Sequence, residues 1–533
     1  MNKPVHIIIL NFRVMLALIV VLFLSCNSKG GKNIPVKDYT QQYYQEQYRP
    51  QFHFSPESGW MNDPNGLVFL DGEYHLFYQY YPDSTVWGPM HWGHAVSNDL
   101  VHWTHLPVAL YPDSLGFIFS GSAIVDALNT TGFGTDDNPA VVAIFTYHNQ
   151  KLAGSGSDSF QSQGIAYSTD KGRTFTKYSG NPVLPNQGER DFRDPKVFWH
   201  EITCKWIMIL AVHDRIQLFS SPDLKSWSFE SEFGEQTGAH GGVWECPDLF
   251  PLKITGSEEE KWVMLVSINP GGPNGGSATQ YFTGDFDGHK FVPEKKNEKW
   301  LDWGTDNYAG VTWSGIPEKD GRRLFIGWMS NWNYATDVPA SSWRSALTIP
   351  RELTLKKNKD QYLLVSTPVI ELTGLRKNSL NLIPGNSEKV NRIEIAQGSY
   401  KLNCSEIIID FEIPSGFSDS LGIILANDAG EEFIIGHSVT NKQLYIDRTR
   451  SGKSGFSRSF NGIVRANYEA GETLKLHIFI DASSAEVFVD DGLLVMTSIL
   501  FPEEEYSRLR IFSRGEEVLL KKAELYELNS IWR

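Results

Sequence analysis

Short hydrophobic segments recur along the first two-thirds of the chain at intervals of about 50–75 residues. Five of them have the length and the β-branched and aromatic content of buried strands: residues 74–80, 140–147, 205–212, 261–268 and 323–329. Each follows another short apolar segment, in chain order GLVF, SAIVD, PKVFW, PDLFPL and AGVTW. The pattern predicts five antiparallel sheet units of about four strands each, the blade size of a β-propeller.

A recurring polar phrase supports this repeat. It reads SNDLVHW at residues 97–103, STDKGRTF at 168–175 and SPDLKSW at 221–227, with a looser version, DFDGHKF, at 285–291. Each copy combines a polar turn with an aromatic residue at the start of a new strand. We therefore predict a five-bladed β-propeller over residues 48–376.

The pattern changes beyond residue 385, where glycine-rich turns and tryptophans become scarcer. Several short segments alternate polar and apolar residues, including SEIIIDFEI near 405, LGIILAN near 421 and LKLHIFID near 474. Such alternation over many short strands indicates a β-sandwich. The predicted fold class is all-β: a five-bladed β-propeller followed by a C-terminal β-sandwich over residues 385–533, with the boundary at 376–387.

The N-terminus carries an apolar run, MLALIVVLFL at residues 15–24, which is short for a membrane span and typical of a signal peptide. The run ends at Ser25-Cys26, which resembles a bacterial lipobox, where the cysteine is acylated. We predict a lipoprotein-type signal peptide over residues 1–26, lipidation of Cys26 and a tether over 27–47. The protein would be exported and anchored to a membrane, facing the periplasm or the cell exterior. The alternative is an ordinary signal peptide with a chance cysteine.

Charge and cysteine usage exclude several classes of partner. A formal net charge of −15 repels phosphate backbones, so nucleic acid is not an expected partner. Four cysteines, Cys26, Cys204, Cys246 and Cys404, are too few for a disulfide scaffold, although a Cys204–Cys404 bridge is conceivable. Their spacing does not fit a metal site, and the sequence predicts no metal and no other cofactor.

Carboxylates stand at the starts of successive leading segments, at Asp63, Asp194, Glu245 and Asp306. In a β-propeller the first strand of each blade lines the central axis, so these side chains should meet at one end of it. Several carboxylates around one axis repel each other unless a function uses them. Each alone could be an ordinary turn residue, but the equal offset in successive units favours a shared site.

Four stretches closely resemble glycoside hydrolase family 32, the invertase, inulinase and levanase group: WMNDPNG at 60–66, FSGS at 119–122, RDP at 193–195 and WECPD at 244–248. WGHA at 92–95 and DASSAEVF at 481–488 extend the similarity to nearly the whole mature chain. The resemblance implies a five-bladed propeller with a C-terminal sandwich, in agreement with the repeat pattern. It also implies a retaining glycoside hydrolase that cleaves β-fructofuranosidic bonds without a metal.

On matching positions, the family pattern makes Asp63 the nucleophile, Glu245 the general acid/base and Asp194 the stabiliser of the transition state. Hydrogen-bond donors and Arg193 are expected to keep Asp63 ionised, and Cys246 is expected to tune Glu245. The resemblance also implies a fructose subsite that is formed by Asn62, Gln79, Trp87, Phe119, Ser120, Arg193 and Trp332.

The expected substrate is a fructan, levan or inulin, with sucrose as a further candidate. Exo-action is expected because Trp328, Trp332 and Tyr334 in the fifth unit would wall off the subsite for a terminal fructose. Trp92 competes with Trp87, and Trp328 with Trp332, for a place in that subsite. An endo-levanase and a fructosyltransferase are alternative enzymes with the same site. A non-catalytic glycan-binding lipoprotein is the alternative outside enzymes.

Overall fold

The computed structural model describes residues 43–295, 297–383, 385, 387–395 and 400–532. The predicted signal peptide, Cys26 and the first part of the tether lie outside these residues. Apart from one short helix, α1 (Gln150–Gly154), and one 3-10 helix (Ile370–Leu375), the regular structure of the described chain is β-strand. The predicted all-β class is confirmed.

Five sheets follow one another in the first part of the described chain. The first contains β1 (Gly59–Leu70), β2 (Glu73–Tyr81), β3 (His91–Ser97), β4 (Thr104–Leu110) and β20 (Trp343–Arg344). The second contains β5 (Phe117–Val125), β6 (Val141–His148), β7 (Gln161–Ser168) and β8 (Thr176–Lys177). The third contains β9 (Phe192–His200), β10 (Lys205–Val212), β11 (Arg215–Ser221) and β12 (Ser228–Phe233).

The fourth sheet contains β13 (Val243–Lys253), β14 (Glu260–Asn269), β15 (Ala278–Phe286), β16 (Phe291–Pro293) and β17 (Lys299–Trp300). The fifth contains β18 (Tyr308–Thr312), β19 (Arg323–Met329), β21 (Ala346–Leu347), β22 (Arg351–Asn358) and β23 (Gln361–Pro368). The five hydrophobic segments predicted from the sequence coincide with β2, β6, β10, β14 and β19, the second strand of each sheet. Their apolar runs are nearly continuous because the centres of these strands are buried on both faces.

The leading strands β1, β5, β9, β13 and β18 form a closed ring, since each contacts the next and β18 contacts β1. A β-bulge interrupts the pairing of each leading strand with its sheet neighbour. The bulges lie between Met61 and Pro64, Ile118 and Gly121, Arg193 and Lys196, Glu245 and Asp248, and Tyr308 and Val311. The same irregularity therefore occurs near the start of all five leading strands.

The repeated polar phrase forms the turn before the fourth strand of the first three sheets. Its serine hydroxyl donates to the aspartate two residues later, at 3.0, 2.6 and 3.2 Å in the pairs Ser97–Asp99, Ser168–Asp170 and Ser221–Asp223. The aspartate accepts backbone N–H groups in turn, as Asp223 Oδ1 does from Lys225 and Ser226 at 2.9 and 2.8 Å. This network explains why the phrase recurs in each of these three sheets.

Two larger sheets follow. One contains β24 (Arg376–Asn381), β25 (Glu388–Val390), β27 (Ser405–Glu412), β32 (Thr473–Asp481), β33 (Ser484–Val489), β34 (Leu494–Ile499) and β36 (Val518–Leu528). The other contains β26 (Arg392–Ile395), β28 (Ser420–Ala426), β29 (Glu432–Ser438), β30 (Gln443–Arg450), β31 (Ile463–Asn467) and β35 (Arg508–Ser513). Both contribute to one apolar core, for example with Ile407, Leu476, Ile423 and Leu444. Since β24 pairs with β36, the chain enters these sheets directly after the 3-10 helix.

Charged side chains are buried where the larger sheets meet the first five. Arg351 Nη1 lies 3.0 Å from Asp302 Oδ2, and Arg351 Nη2 pairs with Glu486. His53 lies between Asp481 and Glu486, at 2.7 and 2.9 Å. These five side chains are at most 1% exposed. Asp481 and Glu486 belong to the motif at 481–488, which therefore joins the two parts of the fold. Removing one partner would leave a buried charge without compensation.

Asp306, the last carboxylate predicted for the ring axis, belongs to this interface instead. Its carboxylate accepts hydrogen bonds from Tyr334 Oη at 2.6 Å and from Arg448 Nη1 at 3.0 Å. The Arg448 guanidinium also lies over the Phe460 ring, 4.0 Å from its centroid. The prediction was wrong because β18 begins two residues later, at Tyr308.

Cys204, Cys246 and Cys404 are free thiols, so the conceivable Cys204–Cys404 bridge is not formed. Within the described ranges, no helix is both long and apolar enough to cross a membrane. The same ranges hold no group of three or more histidine, cysteine, aspartate or glutamate side chains arranged to bind a metal ion.

His53 is expected to be charged in the folded protein. Burial alone would lower the pKa of His53, but hydrogen bonds to Asp481 and Glu486 and the charges of these two residues outweigh burial and raise the pKa to about 9. A histidine with a raised folded-state pKa stabilises the fold fully below its ordinary pKa of 6.5, and this contribution is lost as the pH rises through about 9.

We predict that His53→Gln removes this pH dependence. Between about pH 6.5 and pH 9 the wild-type free energy of unfolding should lose on the order of 3 kcal/mol through this group, and the variant should lack that component. Urea titrations at both ends of the window measure the difference. His102→Gln, at a histidine whose side chain is 59% exposed, is the matched control. Equal pH dependence in all three proteins would contradict the prediction.

Candidate active site

A pocket of about 380 Å³ opens over the bulged ends of the leading strands. Four of these strands contribute residues in or beside their bulges, and Gln79 reaches the pocket from β2, where its Nε2 donates to the Ile118 carbonyl at 3.1 Å. All ten residues predicted from the sequence line this one pocket: Asn62, Asp63, Gln79, Trp87, Phe119, Ser120, Arg193, Asp194, Glu245 and Trp332.

Asp63 is held by neutral donors. Ser120 Oγ donates to Asp63 Oδ2 at 2.6 Å, and Asn62 Nδ2 donates to Oδ1 at 3.0 Å. Trp60 Nε1 fixes the Asn62 amide in turn by donating to its oxygen at 2.8 Å. Burial, and then the negative charge of Glu245, raise the pKa of Asp63 above its ordinary value, while the hydrogen bonds offset part of this rise.

Glu245 is held by a cation and a phenol. Arg193 Nε and Nη2 donate to Glu245 Oε1 at 3.2 and 2.8 Å, and Tyr308 Oη donates to Oε2. Arg193 Nη1 donates to Asp191 Oδ1 at 2.6 Å. The expected action of Arg193 on Asp63 is therefore corrected: the guanidinium reaches across from β9 to Glu245 on β13 and pairs there.

Asp194 occupies a left-handed backbone conformation, with φ +65°, which is rare for a residue other than glycine. Its N–H donates to Thr146 Oγ1 at 2.9 Å, and its Oδ2 accepts the Cys246 N–H at 3.1 Å, so neighbouring strands hold it in place. Burial raises the pKa of Asp194, Arg193 opposes the rise and the two other carboxylates add to it, which brings the pKa to about 7.

The Cys246 thiol lies between two of the carboxylates. Its Sγ is 3.5 Å from Asp63 Oδ2 and 3.6 Å from Asp194 Oδ2. Burial, and then the surrounding negative charges, raise the pKa of Cys246 well above its ordinary value, so the thiol is a neutral, weak donor. The thiol was predicted to tune Glu245, and its direct partners are Asp63 and Asp194.

The competition between tryptophans is resolved by burial. Trp87 and Trp332 line the pocket, whereas Trp92 and Trp328 are 0% exposed and lie in the core. The predicted wall of Trp328, Trp332 and Tyr334 is wrong for two of its three members. Tyr334, only 1% exposed, faces the larger sheets, where its Oη accepts from Arg448 Nη2 on β30 at 3.2 Å. Trp332 alone of the three reaches the pocket.

Sequence reasoning missed seven residues at the site. Tyr308 contacts Glu245, and it could have been found from the repeat because the fifth leading strand begins there. The other six come from the ends of β6 and β7, the connection between them and the segment before β9. The spacing of strands does not determine the conformation of such connections. They are His148, Ala153, Phe160, Gln161, Arg190 and Asp191.

Asp63 and Glu245 thus project into one pocket from different strands and have different surroundings. Asp63 has neutral donors, while Glu245 has Arg193 and Tyr308. Two carboxyl groups in unequal surroundings can divide nucleophilic and acid/base roles, which is the arrangement used for glycosidic bond cleavage. The third carboxylate, Asp194, adds negative charge close to both.

Comparison with known proteins agrees with this chemistry. The family model for the glycosyl hydrolases family 32 N-terminal domain matches residues 53–368, and that for the family 32 C terminal matches residues 371–527. A levanase of Bacillus subtilis (strain 168) is 48% identical over 501 residues, which cover 92% of this chain and 72% of the levanase. An extracellular exo-inulinase of Aspergillus ficuum is 37% identical over 526 residues, with 92% and 96% covered.

The fold is also similar to that of a solved relative. The crystal structure of an exo-inulinase from Aspergillus awamori matches with a TM-score of 0.82 and 35% identity, and the match covers 92% of this chain and 100% of that one. The two family models together span both groups of sheets. The chain therefore belongs to glycosyl hydrolases family 32 and is a glycoside hydrolase.

Proposed function

We propose that the protein hydrolyses β-fructofuranosidic bonds in fructans such as levan and inulin, with retention of configuration. The observation that carries this proposal is the pocket in which Asp63, Glu245 and Asp194 meet. Similarity to proteins named levanase and exo-inulinase supports fructans as the substrate class.

The reaction proceeds in two steps. Asp63 attacks the anomeric carbon of a fructosyl unit while Glu245 gives its proton to the oxygen of the departing sugar. Glu245, now a carboxylate, then takes a proton from water, and the water oxygen displaces Asp63 from the same carbon. Tyr308 can keep its hydrogen bond to Glu245 in both steps, because a hydroxyl can donate to the Glu245 carboxylate and accept from the protonated acid. Asp194 stabilises the positive charge that develops on the fructosyl ring.

Five leading strands in a closed ring are the arrangement expected of a five-bladed β-propeller. The five sheets are the blades of a five-bladed β-propeller over residues 48–376, and the two larger sheets are a β-sandwich over residues 385–533. Closed contact between the leading strands supports the first assignment, and the shared apolar core supports the second. The 3-10 helix connects them, and β24, within the predicted boundary at 376–387, is already a strand of one larger sheet.

Exo-action is the form of hydrolysis that we propose. A terminal fructose would be held by Asn62, Gln79, Trp87, Phe119, Ser120, Arg193 and Trp332, at a pocket whose base is the ring of bulged strands. A site closed at its base admits a chain end more readily than the middle of a polymer. Two relatives named exo-inulinase agree with this form of action.

Export and lipid anchoring are proposed from the N-terminal sequence. The apolar run at residues 15–24 and Ser25-Cys26 support a lipoprotein signal, and a relative is named extracellular. Acylated Cys26 would then hold the enzyme at a membrane through the tether predicted over 27–47. The described end of this segment packs on the fold, where Tyr44 stacks on Trp532 with ring centroids 3.9 Å apart, so the free part of the tether ends before Tyr44.

We predict that Asp63→Asn and Glu245→Gln each lower kcat by about 10²–10⁴-fold or more. Circular dichroism and thermal unfolding should show an intact fold. With β-fructofuranosyl fluoride, whose leaving group needs no proton, Glu245→Gln should give a burst of fluoride and accumulate the Asp63 ester, because the second step lacks its base. Asp63→Asn should give no burst. Near-normal levan hydrolysis by either variant would contradict the catalytic role assigned to that residue.

Asp194→Asn tests whether this residue acts on the transition state. Its charge matches the positive charge of the reacting ring more than the neutral substrate, so kcat should fall by about 10²-fold or more while KM changes little. Steady-state kinetics on a fructan oligosaccharide measure both constants, with Asp137→Asn at an exposed aspartate as control. A raised KM with normal kcat would show that Asp194 only binds substrate.

The early products of levan and inulin digestion test exo-action. We expect fructose as the first and dominant product from either polymer, because only the chain end enters the pocket. Thin-layer or anion-exchange chromatography of the first few per cent of digestion measures the pattern. A ladder of oligosaccharides that precedes fructose would overturn exo-action and leave hydrolysis intact.

Cys26→Ala tests the anchor. In cells that express the wild-type protein, the activity should be found in the membrane fraction and the protein should carry a fatty-acid label. The variant should be unlabelled and soluble. Cys204→Ala, at an exposed cysteine, is the matched control. Soluble, unlabelled wild-type protein would show that the lipobox interpretation is wrong.

A further inference from the structure

The pocket extends beyond the residues proposed to hold the terminal fructose. On one side it is lined by residues that have no part in the mechanism above: His148, Ala153, Phe160, Gln161, Arg190 and Asp191. All of them come from the second sheet or from the segment that leads into β9. The extension is therefore one-sided, and its position indicates where a bound chain would continue.

Four aromatic rings along this side form a continuous aromatic wall: Trp87, Phe119, His148 and Phe160. Phe119 meets Trp87 edge-on, with ring centroids 5.9 Å apart at 76°, and stacks on His148 at 4.3 Å and 13°. Phe160 meets His148 at 5.3 Å and 71°. The aromatic wall thus starts at two members of the fructose subsite and ends at Phe160.

His148 is fixed in the aromatic wall as a neutral ring. Its Nε2 donates to Gln150 Oε1 at 3.2 Å, and its Nδ1 accepts from Gln161 Nε2 at 3.3 Å. Burial lowers the pKa of His148 to about 4, so the ring is uncharged at neutral pH. Within the described chain the Oε1 atom of Gln161 is buried without a hydrogen-bond partner. A neutral aromatic surface next to polar side chains suits a sugar, whose C–H face can pack on a ring while its hydroxyls reach polar groups.

The segment before β9 lies next to the end of the aromatic wall, because Arg190 Nη1 is 3.8 Å from Asp158 Oδ1, two residues before Phe160. Glu245 protonates the glycosidic oxygen, and Arg193 links Glu245 to Asp191 through contacts of 2.8 and 2.6 Å. Asp191 and its neighbour Arg190 line the pocket together with Phe160. The group that is expected to protonate the leaving oxygen is thus linked through Arg193 to the segment that borders Phe160.

We propose that Phe160 and His148 form a subsite for the leaving sugar, the second fructosyl unit of a fructan chain. The proposal rests on the fructan hydrolysis proposed above. The C–H face of the furanose packs on Phe160, and its hydroxyls face the charged groups of Arg190 and Asp191. Because this subsite touches only the leaving group, it favours substrates in which that group is a sugar.

The test compares two substrates with the same fructosyl unit. Levantriose has a sugar leaving group, whereas methyl β-D-fructofuranoside releases methanol, which is too small to reach Phe160. The measured quantity is kcat/KM for the trisaccharide divided by kcat/KM for the methyl glycoside. Phe160→Ala should lower this ratio about 3- to 10-fold, as expected for the loss of one aromatic contact. Phe160→Tyr should restore it, and Phe229→Ala, at a phenylalanine 55% exposed on β12, should not change it.

The outcomes separate the two proposals. A wild-type enzyme that cleaves neither substrate refutes the proposed function and this subsite with it. A wild-type enzyme that cleaves both, with an unchanged ratio in Phe160→Ala, overturns the subsite alone. An equal fall of kcat/KM for both substrates also overturns it, because Phe160 would then only support the fructose pocket.

Discussion

Three carboxylates repel one another in the pocket, and the other contacts of the site offset this repulsion. Asp63, Asp194 and Glu245 line one pocket, and Arg193 supplies the positive charge that contacts Asp194 and Glu245. Hydroxyl, amide and thiol donors supply the other contacts, and burial with like charge raises the pKa of both aspartates. A pocket with three carboxylates and this one contacting cation is short of positive charge. A fructosyl ring that becomes cationic in the transition state relieves that shortage, whereas a neutral substrate does not.

The bulges explain how four leading strands place so many side chains in one pocket. Successive side chains of a regular strand point to opposite faces, yet Asn62 with Asp63, and Arg193 with Asp194, line the same pocket. An inserted residue breaks the alternation and allows both neighbours to face the axis. The cost is left-handed backbone at Asp194, Cys246 and Ala309, which hydrogen bonds from adjoining strands support.

The repeat predicted the five sheets, because strand period and turn chemistry are local, and the ten pocket residues were implied by the resemblance to a known family. What failed depends on packing between distant segments. Asp306 was assigned to the axis, although Arg448, more than a hundred residues away, binds it. Trp328 and Tyr334 have the composition of a sugar-binding rim, but both are buried by tertiary contacts. Composition can identify an aromatic residue, whereas only the assembled fold determines which side of the sheet it faces.

The first sheet is completed by a strand from much later in the chain. β20 pairs in parallel with β1, which joins Gly59 to Trp343 and Trp60 to Arg344. During synthesis from the N-terminus, β1 to β4 emerge long before β20, so β1 remains an open edge meanwhile. Non-local pairing is slow compared with hairpin formation, and open edges pair readily with other chains. We therefore expect the nascent chain to be most prone to aggregation until β20 emerges. The first sheet should begin to form early and be completed late.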